Sequence, residues 1–222
     1  MAPLRSYNGE TEEEITLMKR AVKVCTAILA AGNSSRMGIS KLTMPFAGSS
    51  LLEQAISTAL KSESAQVVVV TGCHYPETSQ IVSRFPQVVE LHNSQWHTGD
   101  SSSAIKAVEY SDRNNFDAVL LMFADQPFVR AHHLNALIHA FQKKRSYACI
   151  SRTADRDGGP FLFNNRCFSE FYSLSGDGYI KNLYQGWPRN RVEYVPCRDP
   201  LIFFDVDTPE DARHLERLVV NG

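Results

Sequence analysis

No two cysteines are spaced C-x-x-C, and the five present (Cys25, Cys73, Cys149, Cys167 and Cys197) are odd in number and far apart. That argues against a zinc ribbon or a disulfide framework and leaves reduced, buried thiols as the expectation. Long apolar runs are missing too. The longest, 118–124, is far short of a membrane span, so no membrane attachment is expected. Nor is there an excess of either charge. The 23 Lys and Arg stand against 24 Asp and Glu, a net charge of −1, which gives no general attraction for nucleic acid or anionic lipid. Glu10, Glu12, Glu13 and Glu14 lie where a secretory leader would need an apolar stretch, so a cytoplasmic location is expected. Several signatures are absent as well: G-x-G-x-x-G, the Walker loop, the G-x-S-x-G elbow and H-E-x-x-H. The seven histidines, His132, His133 and His139 among them, are scattered and read as surface or capping residues.

What is present is an ordinary globular composition, 43% hydrophobic and 21% charged over 222 residues. At roughly 150 residues per domain, one domain is expected. It is placed at 22–222, after an N-terminal extension, 1–21, whose segment 12–20 could form a short helix with Ile15 and Met18 on one side.

Continuous apolar runs at 24–30, 67–70, 88–91 and 118–123 read as buried parallel strands. Between them lie helical patterns. Leu51, Leu52, Ala55, Ile56, Ala59 and Leu60 form a stripe, Pro76 opens a helix reaching Phe85, and 101–110 has Ala104, Ile105 and Val108 inward. Leu134, Leu137, Ile138 and Phe141 follow helical spacing. Thr208, Pro209, Glu210 and Asp211 read as N-cap, first helical residue and acidic first turn. The stretch 151–200 is less regular, with short strands expected at 161–163 and 191–195 and helices near 165–172 and 177–185. The alternation predicts a three-layer α/β/α, Rossmann-like fold with a mostly parallel mixed sheet. Ligands of such sheets bind outside the carboxyl ends of the strands, so the loops after Ala30, Thr71, Phe123 and Phe204 are where chemistry is sought.

Four segments carry that chemistry. The first is the loop Gly32-Asn33-Ser34-Ser35-Arg36-Met37-Gly38-Ile39-Ser40-Lys41. Its backbone N–H groups can surround phosphate oxygens, and Arg36 and Lys41 add charge for a triphosphate and a departing pyrophosphate. A plain glycine-rich turn with two solvated basic residues is the alternative. The second, Asn93 to Ser103, places Gly99, Asp100 and three serines before a helix, which suits either an anion or ordinary capping. The third places Asp125 at the carboxyl end of a buried strand, fit for Mg²⁺ or for a turn. In the fourth, Asp205 and Asp207 follow a run read as an apolar strand ending at Phe204.

The first segment, read from Leu29 to Lys41, resembles L-A-A/G-G-x-S-x-R-M-G-x-x-K, the signature loop of the MobA-like nucleotidyltransferases that join a nucleotide to the molybdenum cofactor. Leu42 to Leu52 is similar to that family's continuation. Asn93-Ser94-Gln95-Trp96-His97-Thr98-Gly99-Asp100-Ser101-Ser102-Ser103 resembles N-x-x-W-x-x-G-M-S-S-S, with Asp100 in place of Met. Asp125-Gln126-Pro127-Phe128 matches D-M/Q-P-F, and Asp205 to Asp211 matches D-I/V-D-T-P-E-D. Asp157 to Phe163 is similar to the acceptor-side G-x-P-x-L-F, with Gly159 where His is common, and Gly176, Asp177 and Gly178 to a shortened L-x-G-D-x-G.

The resemblance implies a magnesium-dependent transfer of a nucleotide to a phosphorylated acceptor. Lys41, Arg36 and Asp125 would be catalytic, and Asp125 and Asp205 would hold Mg²⁺, with Asp207 interchangeable with Asp205. Leu29, Ala30, Ala31, Gly32, Ser34, Ser35, Arg36, Met37, Gly38, Lys41, Gly72, Asn93, Gly99, Ser101, Ser102 and Ser103 would line the nucleotide site. Gln126, Gly159, Pro160 and Asp177 would face the acceptor. The nearest pattern is that of the molybdenum cofactor cytidylyltransferases. Ala31 stands where guanylyl-transferring relatives tend to have Gly, and a Cβ there would narrow a base pocket toward a pyrimidine. CTP and molybdopterin or its molybdenum form are then the expected substrates, with a molybdenum hydroxylase or its chaperone receiving the product. Another triphosphate or phosphorylated acceptor is the alternative within the enzyme class. A non-catalytic nucleotide- or cofactor-binding accessory protein is the alternative outside it.

Overall fold

The structure is a computed structural model that describes residues 22–34, 40–176 and 179–220. The expected extension, 1–21, lies outside the described residues.

A seven-stranded sheet forms the middle layer, in the order β5-β4-β1-β6-β8-β7-β9. Its strands are β1 (Val24–Ala30), β4 (Gln66–Thr71), β5 (Val88–His92), β6 (Ala118–Phe123), β7 (Ala148–Arg152), β8 (Asp157–Asn164) and β9 (Val192–Pro196). A separate hairpin pairs β2 (Pro45–Phe46) with β3 (Ser49–Ser50). Strand β1 lies between parallel β4 and β6, and all seven of its residues are buried, which is why it reads as an unbroken apolar run. Strand β8 alone in the sheet runs antiparallel to its neighbours, β6 and β7. The expected fold class therefore holds, mixed character included.

The helices are α1 (Leu51–Leu60), α2 (Tyr75–Val82), α3 (Ser101–Arg113), α4 (Ala131–Lys144), α5 (Phe168–Phe171), α6 (Tyr179–Gln185) and α7 (Pro209–Val220). Strand residues alternate between the two faces, as a period of two requires. Val24, Ile28, Val67, Val69, Leu120 and Met122 join one core with α1, α2 and α4. Cys25, Ala27, Leu29, Val68, Val70 and Leu121 join the other with α3, α5 and α6. A third, smaller cluster packs α7 through Ala212 and Leu215 against Phe46, Leu51 and Val206. Burial pushes the thiols of Cys25, Cys149 and Cys167 up to about 12, so they are uncharged packing groups, as the cysteine count implied.

Two local expectations need correction. The run before Asp205 is not a strand. Pro200–Phe203 forms a 3-10 turn, because Asp199 accepts from the Leu201 amide at 2.9 Å and Pro200 takes the first helical position. The second correction is β7, which was not anticipated. Five residues between a helix end and a polar turn carry too short an apolar signal to stand out.

Candidate active site

At the carboxyl ends of β1 and β6 opens a cavity of about 790 Å³. This is where ligands of open parallel sheets bind. One side is the end of β1 and its loop: Leu29, Ala30, Ala31, Gly32, Asn33 and Ser34. Asp125 and Gln126 follow β6 directly, and Asp205 and Asp207 descend from the segment ahead of α7.

Lys41 ties these pieces together. It begins a 3-10 turn, Lys41–Thr43, and its amide donates to Ser34 Oγ at 3.3 Å. Its Nζ donates to Asp125 Oδ2 at 2.5 Å and to Asp207 Oδ1 at 2.7 Å. The contacts span 84 and 166 positions of chain, so three sequence-remote motifs meet at one ammonium. Burial disfavours that charge, but the adjacent carboxylate of Asp125, with Asp207 beside it, outweighs burial and raises the pKa of Lys41. The ammonium is therefore fully charged at neutral pH.

Asp205 behaves differently. It is exposed at the mouth of the cavity, yet protein surrounds its carboxyl, which accepts from Gln126 Nε2 at 2.9 Å. Loss of water first, and then the negative charge of Asp125, push its pKa up to about 6, while the Gln126 hydrogen bond works the other way. Gln126 itself is buried, and its Oε1 has no protein partner. Three carboxylates against one ammonium leave a negative excess that suits a divalent cation. Asp125 and Asp205, both on the cavity wall, are the residues that would hold it. Among the described residues no ready-made cluster of three or more His, Cys, Asp or Glu side chains is arranged for a metal.

The opposite wall is built of bare backbone and aromatic rings. A Cβ at Gly158 would lie 2.8 Å from the Phe203 ring, and one at Gly159 would lie 3.0 Å from Phe161 and 3.3 Å from Phe123. The space a histidine would enter at position 159 is therefore filled by rings, Phe123 and Phe161 meeting edge to face.

Of the residues expected at the site, Leu29, Ala30, Ala31, Gly32, Ser34, Lys41, Gly99, Ser103, Asp125, Gln126, Gly159 and Asp205 line the cavity together. Others lie behind its wall. A Cβ at Gly72 would be 2.6 Å from the Ala31 Cβ and 2.8 Å from that of Trp96, so Gly72 is a packing residue that makes room for Ala31. Buried Asn93 donates to Ser102 Oγ and Ser103 Oγ at 2.8 and 3.1 Å, bracing the start of α3. The amides of Ser101 and Ser102 are taken by the carbonyls of Gly176 and Gly99, which leaves neither for an anion. Asp100 makes no side-chain cap to α3. Pro160 is buried within β8. Ser35, Arg36, Met37, Gly38 and Asp177 lie outside the described residues. Sequence reasoning offered Asp207 only in exchange for Asp205 at the metal and did not foresee its bond to Lys41, although a second acid two residues after Asp205 was the visible signal. It passed over Arg156, Phe203 and Lys181, which line the cavity without a family motif to mark them.

Comparison with known proteins places this geometry in context. The chain is 29% identical over 195 residues to the purine catabolism protein PucB of Bacillus subtilis (strain 168), covering 85% of this chain and 94% of that one. It is 23% identical over 184 residues to the molybdenum cofactor cytidylyltransferase of Escherichia coli (strain K12), covering 83% and 91%. Among solved structures, Rv0371c from Mycobacterium tuberculosis H37Rv superposes with a TM-score of 0.78 at 24% identity, covering 89% of this chain and all of that one. The same mycobacterial protein has been solved in complex with manganese, and that form superposes at 0.69 with 22% identity, covering 87% and 98%. At such identities the structural likeness is one of fold. The model of the MobA-like NTP transferase domain matches residues 26–193, about three quarters of the chain, with Lys41 and Asp125 inside the matched span, and the protein belongs to that nucleotidyltransferase family.

Proposed function

We propose that the protein transfers CMP from CTP to the terminal phosphate of molybdopterin or its molybdenum form and releases pyrophosphate. The observation that carries the reading is the junction of Lys41 with Asp125 and Asp207 beside a glycine-bearing loop at the carboxyl ends of parallel strands. An oxygen of the acceptor phosphate attacks the α-phosphorus in line. The bond from that phosphorus to the oxygen bridging the α- and β-phosphates breaks, and its electron pair leaves with pyrophosphate. The acceptor phosphate is already ionised, so no general base is required. Positioning and charge neutralisation carry the rate.

In this reading Lys41 moves from the carboxylates onto oxygens of the acceptor and the α-phosphate. The loop from Gly32 to Lys41, with Arg36, holds the β- and γ-phosphates. Asp125 and Asp205 hold Mg²⁺, which would neutralise developing charge when bound. A manganese complex of a mycobacterial relative supports a divalent ion. The cytidylyltransferase relative and Ala31 support CTP. A cytoplasmic setting and delivery of the product to a molybdenum hydroxylase or its chaperone follow from the same reading.

A second reading keeps the chemistry and changes the acceptor. The fold supports it equally, and Gly159, with rings filling the space of the family's usual histidine, favours it. The deciding experiment is pyrophosphate release from each of the four triphosphates with Mg²⁺, with and without molybdopterin. Release from CTP that depends on molybdopterin is expected. Release only with a sugar phosphate would replace the acceptor. Tight nucleotide binding without release under any condition would point to an accessory protein.

A further inference from the structure

A second cavity of about 380 Å³ adjoins the first and has no role in the reading above. The two share Arg156, Phe203, Asp205 and Asp207 as walls. The rest of the smaller one is lined by apolar Pro200, Leu201 and Phe204 together with Thr208 and Asp211.

Arg156 stands at the junction. It closes the turn between β7 and β8, where its carbonyl accepts from the Thr153 amide at 2.8 Å. Its Nη2 donates to the Phe203 carbonyl at 2.8 Å, and its guanidinium carbon lies 5.2 Å from the centre of the Phe203 ring. The head group is thus held at one nitrogen and against one aromatic ring. Of the neighbouring cations, Lys41 is committed to Asp125 and Asp207 and Arg152 to Asp157 at 3.2 Å, while Lys181 lines the larger cavity only. Among the described residues Arg156 makes no ion pair, although Asp205, Asp207 and Asp211 share its cavity walls. A guanidinium held at one nitrogen, with donors to spare and shared between the two cavities, is a ready anion receptor.

We infer that the smaller cavity seats the acceptor and that Arg156 binds the acceptor's phosphate. The apolar body of the acceptor rests against Pro200, Leu201 and Phe204. The inference rests on the transferase reading and adds to it the residue that separates acceptor binding from donor binding. A phosphorylated molecule with an apolar or planar body fits this seat better than a bare polyol phosphate does, because Pro200, Leu201 and Phe204 offer it an apolar surface.

The test does not depend on knowing the acceptor. Orthophosphate is titrated calorimetrically into the protein already loaded with a CTP analogue whose α,β-bridging oxygen is a methylene, so that the triphosphate site is filled and no transfer occurs. The wild type should bind one orthophosphate. Arg156→Ala should weaken that binding at least tenfold, and Arg156→Lys should restore it in part. Affinity for the analogue should change less than twofold in either variant. Equal orthophosphate binding by wild type and Arg156→Ala, or none by either, would overturn the inference. So would a parallel loss of analogue binding, which would assign Arg156 to the triphosphate. Arg156 is exposed and its guanidinium donates to a backbone carbonyl, so the variants should fold, and thermal melting checks this. Failure of the transferase reading has a separate signature: no pyrophosphate from any triphosphate.

Discussion

The half of the sheet that faces the glycine loop and the half that faces the aromatic wall are built by different rules. In the first, β1, β4, β5 and β6 run parallel and are joined in turn through α1, α2 and α3, and β1, β4 and β6 are buried over nearly their whole length. In the second, β8 runs against its neighbours, its register with β7 shifts between Ile150 and Ser151, and it starts on Asp157, Gly158 and Gly159. A ligand shared by all members of a family can be held by regular backbone at strand ends. A ligand that differs among them is met by turns, rings and single charges, which change without disturbing the sheet.

The strongest way to break this comparison is at the acid that follows β6. Asp125→Asn should reduce Mg²⁺-dependent pyrophosphate release to background with an unchanged circular dichroism spectrum. Activity surviving at ordinary Mg²⁺ would remove Asp125 from the ion site. Next is Lys41→Ala, expected to lower turnover by about a hundredfold or more, as for loss of a charge contact to the transition state. Near-normal turnover would show the junction to be structural only.

Position 159 probes the other half. Gly159→His forces a side chain against Phe123 and Phe161, and overpacking of this kind costs about 1–3 kcal/mol. Denaturant melts should show that loss while CTP affinity stays unchanged. An equal fall in CTP affinity would mean that the two halves are not independent.

The smallest effect concerns α4, which packs behind β7, β8 and β9. His133 is buried in its first turn, and its Nδ1 accepts from the Arg130 amide at 3.1 Å. Burial, and then neighbouring His132, push its pKa down to about 4. Between about pH 6.5 and 4 the unfolded chain therefore binds the proton and the folded one does not, so stability falls as pH falls through that window. The loss should be about 1–3 kcal/mol. Replacing His133 with Asn should flatten the slope, and hydrogen exchange should show β7 and β9 loosening before β1 and β4. A slope that is the same in the variant would place the acid sensitivity elsewhere.

Legibility in the sequence followed the same division. Strands β1, β4 and β6 could be read because burial on both faces leaves few polar interruptions, β5 less clearly because it is half-buried and carries Glu90 and His92, and the helices between them because their stripes are wide. Asp125 was legible from its place just past the end of β6, and Lys41 from its place in the basic loop that follows β1. The rest was harder for physical reasons. Strand β7 is short and gains its register from β8 and β9, partners remote in sequence. The apolar run before Asp205 has strand-like composition, but Asp199 and Pro200 cap it as a turn. The partnership of Asp207 with Lys41 spans most of the chain, and no local pattern encodes it. Gly72 and Asn93 lie in or beside motif-like segments but act from behind, one as room for a neighbouring methyl, the other as a brace.

The reversal of β8 has one more consequence. Six strands of the sheet reach the functional edge with their outgoing ends, whereas β8 reaches it with its beginning. The short connection at 153–156 is therefore a hairpin bend rather than a crossover, and it can grow, shrink or change composition without rethreading any layer. A lineage could exchange one small molecule for another by rewriting a few residues of that bend, while the parallel half of the sheet and its loops are inherited untouched.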